Sequence, residues 1–126
     1  MIRIAARLLS PGGAQARLSI LIFHRVLAQP DALSPDEPDL NRFEQELRWI
    51  SRWFNVLPLD EAAARLVAGS LPPCAAAITF DDGYADNATL AVPALKRAGL
   101  SATFFIATSF LDGGRMWNDT VIEAVR

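Results

Sequence analysis

The segment Ala75–Phe80, apolar except for Thr79, runs directly into Asp81-Asp82-Gly83. This junction limits the folds open to the chain more than any other feature. A short apolar run without alternation is the mark of a strand buried on both faces, as in a parallel sheet covered by helices. Such a strand delivers whatever follows it to the rim of the sheet. Here that is two adjacent carboxylates and a glycine, which can take backbone angles closed to other residues.

The rest of the sequence supplies the partners such a strand needs. Leu18–Phe23 is a second apolar run of strand length, also expected to be buried on both faces, and it ends in His24-Arg25-Val26. Residues 28–39 hold Pro30, Pro35 and Pro38 among acidic residues and read as a surface loop. Leu40, Phe43, Leu47, Ile50 and Phe54 recur at spacings of three and four, the apolar stripe of a helix whose other face is charged. A short strand at Asn55–Leu57 precedes a helix that Asp60 can cap and that runs through Val67 to Gly69. After Gly83 a polar turn, residues 84–87, leads to a helix placed at about 91–98, since Pro93 is tolerated only near a helix start. Ala102–Ala107 reads as a fourth strand, Asp112-Gly113-Gly114 as a turn, and Trp117–Arg126 as another helix. Strands alternating with helices define an α/β fold with parallel strands. The acidic pair then lies at the carboxyl end of its strand, where barrels and open parallel sheets build their sites.

Composition excludes several classes. The 126 residues make one domain at most, and 52% hydrophobic residues give it a core. A net charge of −2 with dispersed basic residues leaves no footprint for nucleic acid. No apolar run reaches the ~18 residues of a membrane span. Cys74 is the sole cysteine, so it reads as a small buried hydrophobe rather than half of an intrachain disulfide. Residues 2–9 read as a short amphipathic helix stopped by Pro11-Gly12-Gly13, too short and too interrupted by Arg7 for a convincing signal peptide. The cellular compartment stays open.

Successive side chains of a strand point to opposite faces, so Asp81 and Asp82 share a pocket only if the backbone bends there, which Gly83 permits. Two close carboxylates stay ionised only beside a cation. A divalent metal meets that need, and a neighbouring carboxylate can take a proton from an attacking water. On its own, Asp-Asp-Gly is a common turn. The buried strand before it and the helix after it bring the catalytic reading level with that one. His24 has the same placement at the end of the first strand, where a lone histidine is more often a hydrogen-bonded structural group than a ligand. Arg25 reads as a surface or loop-anchoring charge. Tyr84 can cover the pocket or pack in its turn. Trp117 can stack on a sugar ring or pack in the core.

Thr79-Phe80-Asp81-Asp82-Gly83 closely resembles the first motif of the polysaccharide deacetylases, carbohydrate esterase family four. Leu21–Val26 resembles the first strand of the members found at bacterial exopolysaccharide loci, and Pro93–Phe105 the helix and strand after the motif. The resemblance runs from about residue 18 to the last residue, with residues 1–17 as an N-terminal extension. It implies a distorted (β/α) barrel that removes N-acetyl groups from the amino sugars of a polysaccharide with a divalent metal, commonly zinc. By position, Asp81 matches the general base and Asp82 the metal-binding aspartate, with His24, Tyr84 and Trp117 as pocket-lining candidates. The family's later motifs contribute two histidines four residues apart, a further histidine and an arginine, and none of these occurs here.

A catalytic zinc wants three protein ligands, and a closed barrel of this kind needs on the order of 200–250 residues. The expectation is an incomplete barrel of about four parallel strands. On this reading the chain is the N-terminal part of a longer deacetylase, inactive alone. The alternatives are a non-catalytic remnant that binds glycan or a protein partner through a sheet edge and Trp117, and a magnesium phosphotransferase using the acidic pair. The last lacks a glycine-rich phosphate loop.

Overall fold

The computed structural model describes residues 9–126. The helix expected at residues 2–9 lies almost wholly outside the described residues. Four strands, β1 (Leu18–Phe23), β2 (Asn55–Val56), β3 (Ala75–Phe80) and β4 (Thr103–Phe104), alternate with α1 (Leu40–Trp53), α2 (Leu59–Val67), α3 (Val92–Ala98) and α4 (Trp117–Val125). All the strand pairings are parallel. β3 is the centre: β1 pairs along its whole length, from Leu18 opposite Ala75 to Phe23 opposite Phe80. β2 pairs with the start of β3 and β4 with its end, at Thr79–Phe80. The sheet is therefore an open α/β sheet of four parallel strands.

Every residue of β3 is buried, Thr79 included, as its largely apolar run leads one to expect. Ile78 and Phe80 share one face with Phe43, Leu47 and Ile50 of α1 and Ala94 and Leu95 of α3. Ala75, of opposite parity, packs with Ala62 of α2 and Leu71. The phenyl rings of Phe23, Phe43, Phe80 and Phe104 meet at centroid distances of 5.0–5.8 Å, stacked along the sheet and edge-on to α1. Each such pair adds about 0.5–1.5 kcal/mol beyond its buried area. This cluster anchors the carboxyl end of the sheet, directly beneath Asp81.

Four details differ from the sequence expectation. Among the described residues β1 buries both faces only at its start, where Leu18 packs against Ala62, Leu71 and Ala75, and one face from Ile20 onward. Leu21 and Phe23 pack on the core, whereas Ile20 and Ile22 are 49% and 59% exposed, because α1 and α3 cover one side of the sheet there. The fourth strand shrinks to Thr103–Phe104, with Phe105 and Ile106 about half exposed after it. The N-cap of α2 is Pro58, with no side-chain cap bond, so Asp60 sits within the first turn and complements the helix dipole instead. Residues 87–91 wind as a π-helical turn ahead of α3. By contrast, α1 is capped by Asp39, which accepts from the Arg42 amide at 2.7 Å, and buries Phe43, Leu47 and Ile50 as its stripe predicts. Cys74 is buried and free, in agreement with its reading as a small hydrophobe.

Candidate functional site

The carboxyl ends of β1 and β3 build the site. The Asp81 amide donates to the Phe23 carbonyl at 2.9 Å, extending the β1–β3 ladder one step past Phe80. Continuing the register sets His24 beside Asp81, on the face away from α1 and α3.

The chain then turns sharply. The Gly83 amide donates to the Asp81 carbonyl at 2.9 Å, and Asp82 between them has a φ of 73°. This is a γ-turn with positive φ at its centre, a rare and strained conformation for a residue with a side chain. Gly83 follows with φ 78°, a conformation that disfavours any side chain, and a Cβ there would meet Ile106 Cδ1 at 2.8 Å. The Ala107 amide donates to the Asp82 carbonyl at 3.2 Å and fixes the turn from the β4 side. The bend that the sequence reading required is thus present, centred on Asp82 itself.

Asp82 lines a pocket of about 170 Å3 with His24, Arg25, Ser34, Glu37, Tyr84, Asn118, Asp119 and Ile122. Asp81 and Trp117 are not among its lining residues. Asp81 is half-buried at the strand end, and Trp117 is 80% exposed. The helix that begins at Trp117 instead presents Asn118 and Asp119 to the pocket.

Arg25 is the hub of the rim. Its Nε and Nη2 donate to Asp86 Oδ2 at 2.9 and 2.7 Å, and the other oxygen of Asp86 accepts from the Val26 amide at 3.4 Å. The guanidinium carbon lies 4.5 Å from the centroid of the Tyr84 ring, a cation–π contact. The Tyr84 hydroxyl donates to Asp119 Oδ1 at 3.2 Å. Burial raises the phenol pKa of Tyr84, a hydrogen bond with Asn118 opposes the rise, and the Asp119 carboxylate adds to it. The Arg25 amide donates to Glu37 at 3.2 Å, which ties the acidic loop after β1 to the same rim. Asp119, which follows the fourth strand, was expected on this side of the sheet, whereas Asp86, Asn118 and Glu37 escaped the sequence reading. Their contacts with Arg25 and Tyr84 span 12 to 61 residues of chain, and no local pattern marks them.

Zinc in a catalytic site takes three protein ligands. Among the described residues no group of three His, Cys, Asp or Glu side chains is placed to hold a metal ion. Asp82, His24, Glu37 and Asp119 border one pocket, but no three of them are grouped closely enough to make such a site. The residues described here therefore do not by themselves fit a catalytic zinc, and no chemical step is derived through one. No described helix is long and apolar enough to cross a membrane.

A parallel α/β sheet that carries a strained aspartate into a polar pocket at its carboxyl edge is the framework of an α/β enzyme site. Comparison with known proteins makes this specific. The family model for polysaccharide deacetylase matches residues 68–125, the segment holding β3, the acidic turn, α3 and β4. YxkH of Bacillus subtilis, which carries a provisional polysaccharide deacetylase name, is 34% identical over 94 residues, 72% of this chain and 32% of that protein. The solved de-N-acetylase from Aggregatibacter actinomycetemcomitans superposes with a TM-score of 0.63 at 25% identity, over 77% of this chain and 40% of that one. IcaB from Ammonifex degensii gives 0.59 at 26% identity, over 77% and 39%. The chain belongs to the polysaccharide deacetylase family. It spans about a third of the length of the curated relative it matches.

Proposed function

We propose that this chain carries the acidic edge of a site that removes N-acetyl groups from amino sugars in a polysaccharide. The observation that carries the reading is the Asp82 γ-turn. A family motif is held in a strained backbone that brings one carboxylate residue into a polar pocket, while its neighbour stays at the strand end beside His24. Strain of about 1–3 kcal/mol at such a residue supports a functional reading when, as here, the residue also belongs to a family motif and lines a polar pocket.

In this reading Asp81 is the general base. It takes a proton from a water whose oxygen attacks the acetyl carbonyl carbon. The carbon–nitrogen bond then breaks, the amine departs with the proton that Asp81 took from the water, and acetate leaves. Asp82 faces the reacting group from the pocket as the prospective metal ligand. Tyr84, Asn118 and Asp119 offer hydrogen-bonding groups suited to the hydroxyls of a sugar ring. A zinc-dependent reaction needs ligands besides Asp82 and His24, so the chain by itself is expected to be inactive. The test is acetate release from an N-acetylglucosamine oligomer, with and without added zinc. No release above the blank is expected; zinc-dependent release that is lost in Asp81→Asn would show that the chain is a complete enzyme.

Exposure of Trp117 keeps a second reading in play, a non-catalytic glycan-binding module. Saturable binding of the same oligomer that survives Asp82→Ala but not Trp117→Ala would favour it.

A further inference from the structure

We infer that Arg25 is a positioning residue for the candidate site: anchored by Asp86, its guanidinium holds the Tyr84 ring, and through the Tyr84 hydroxyl the Asp119 carboxylate, at the pocket rim that Asp82 faces. Its role in deacetylation rests on the function proposed above; the placement of Tyr84 does not.

The geometry joins three segments that the sequence keeps apart. Arg25 follows β1, Tyr84 and Asp86 follow the acidic turn of β3, and Asp119 lies in the first turn of α4. Two guanidinium nitrogens converge on a single oxygen of Asp86 at 2.7 and 2.9 Å, while the second oxygen takes the Val26 amide. Asp86 is only 14% exposed at its side chain and Arg25 35%, so this pair is less screened than a surface pair. The guanidinium so fixed lies over the Tyr84 ring at 4.5 Å. A ring that rests on a fixed plane directs its hydroxyl one way, toward Asp119 at 3.2 Å and the Met116 sulfur at 3.6 Å. Lysine cannot reproduce this arrangement, because a flexible ammonium is a point charge without a planar face to stack. Arg25, Tyr84 and Asp119 all line the pocket of Asp82, so a displaced ring changes the pocket itself.

A purely structural Arg25 would tie β1 to the loop after β3 and leave Tyr84 to its own contacts. The two roles separate cleanly because Tyr84 is the only tyrosine of the chain and gives a single set of ring signals in NMR. In Arg25→Met the ring is expected to lose the contact of its hydroxyl end with the Met116 side chain and to take the averaged signals of a solvated tyrosine, while the phenylalanine signals of the core stay in place. Arg25→Lys should restore the contact in part. A ring that keeps its Met116 contact in Arg25→Met overturns the inference. If that variant does not fold, Asp86→Ala serves, since it leaves the cation and removes its anchor; a loosened ring supports the inference and an unchanged one overturns it.

The second readout is affinity for an N-acetylglucosamine oligomer, expected to fall about tenfold in Arg25→Met, the loss of one charge-supported hydrogen bond, with Arg25→Lys between. Equal affinity in all three proteins overturns the positioning role. Absence of binding by the unaltered chain, with the ring still dependent on Arg25, supports the placement of Tyr84 and counts against the deacetylase reading alone.

Discussion

Asp82 is the residue on which the site depends, and its backbone makes it testable. A residue with a Cβ at a φ of 73° is strained, though aspartate tolerates the region better than most. Asp82→Gly removes the carboxylate and the strain together; Asp82→Ala removes the carboxylate and keeps the strain. The glycine variant is expected to be the more stable of the two by about 1 kcal/mol in urea unfolding. An alanine variant equal to or more stable than the glycine variant would show that the turn is relaxed. Two residues on, Tyr84 gives a second local readout. Burial and the Asp119 carboxylate raise its phenol above the ordinary value of 10.0, against an opposing bond with Asn118. The neutral phenol is thus the form favoured by folding. Its contribution to stability is fully present below the unfolded value and is lost as pH rises through the folded one. Absorbance titration of the sole tyrosine should place its ionisation above that of tyrosine in the unfolded chain, and Asp119→Asn should lower it. An ionisation equal to the unfolded one would contradict the contact with Asp119.

At the scale of elements, the carboxyl end of β3 is held by rings rather than by polar contacts. Phe80 is fully buried and touches the rings of Phe23, Phe43 and Phe104. Phe80→Ala is expected to cost about 3–5 kcal/mol of stability, measured by urea or thermal unfolding. A cost below about 1 kcal/mol would mean that this cluster can collapse around the cavity. These elements also show what the sequence could reveal. β3 was legible to the residue, because an apolar run with neighbours on both edges and helices on its faces is buried as its composition suggests. Leu18–Phe23 has much the same composition but, among the described residues, one partner strand and one covered face beyond Leu18, so Ile20 and Ile22 are exposed. Hydropathy reports what a strand can bury; the neighbours decide what it does bury. The π-helical turn at Asn87–Ala91 left no mark either, because it differs from an α-helix by a backbone register that side-chain pattern does not encode. Of the site, the acidic pair and His24 were legible from their place after apolar strands. The Arg25–Asp86 pair and the Tyr84–Asp119 bond were not, since each depends on how loops 35 or 61 residues apart meet in space.

For the molecule as a whole, the open sheet and the family match support the proposal that the carboxyl ends of β1 and β3 form one acidic side of a deacetylase site. Other surfaces compete as binding sites. An apolar groove of about 210 Å3 runs between β1 and α1, lined by Leu21, Phe23, Trp49, Ile50 and Trp53, and Trp117 stands exposed at the start of α4. The most direct discrimination is backbone amide NMR of the chain titrated with an N-acetylglucosamine oligomer. Saturable shifts are expected to cluster at His24, Asp82, Tyr84, Asn118 and Asp119 and to disappear in Asp82→Ala. Shifts confined to the Trp49–Trp53 groove or to Trp117, or no shifts at the Asp82 pocket at all, would contradict the assignment of that pocket to an N-acetylated sugar.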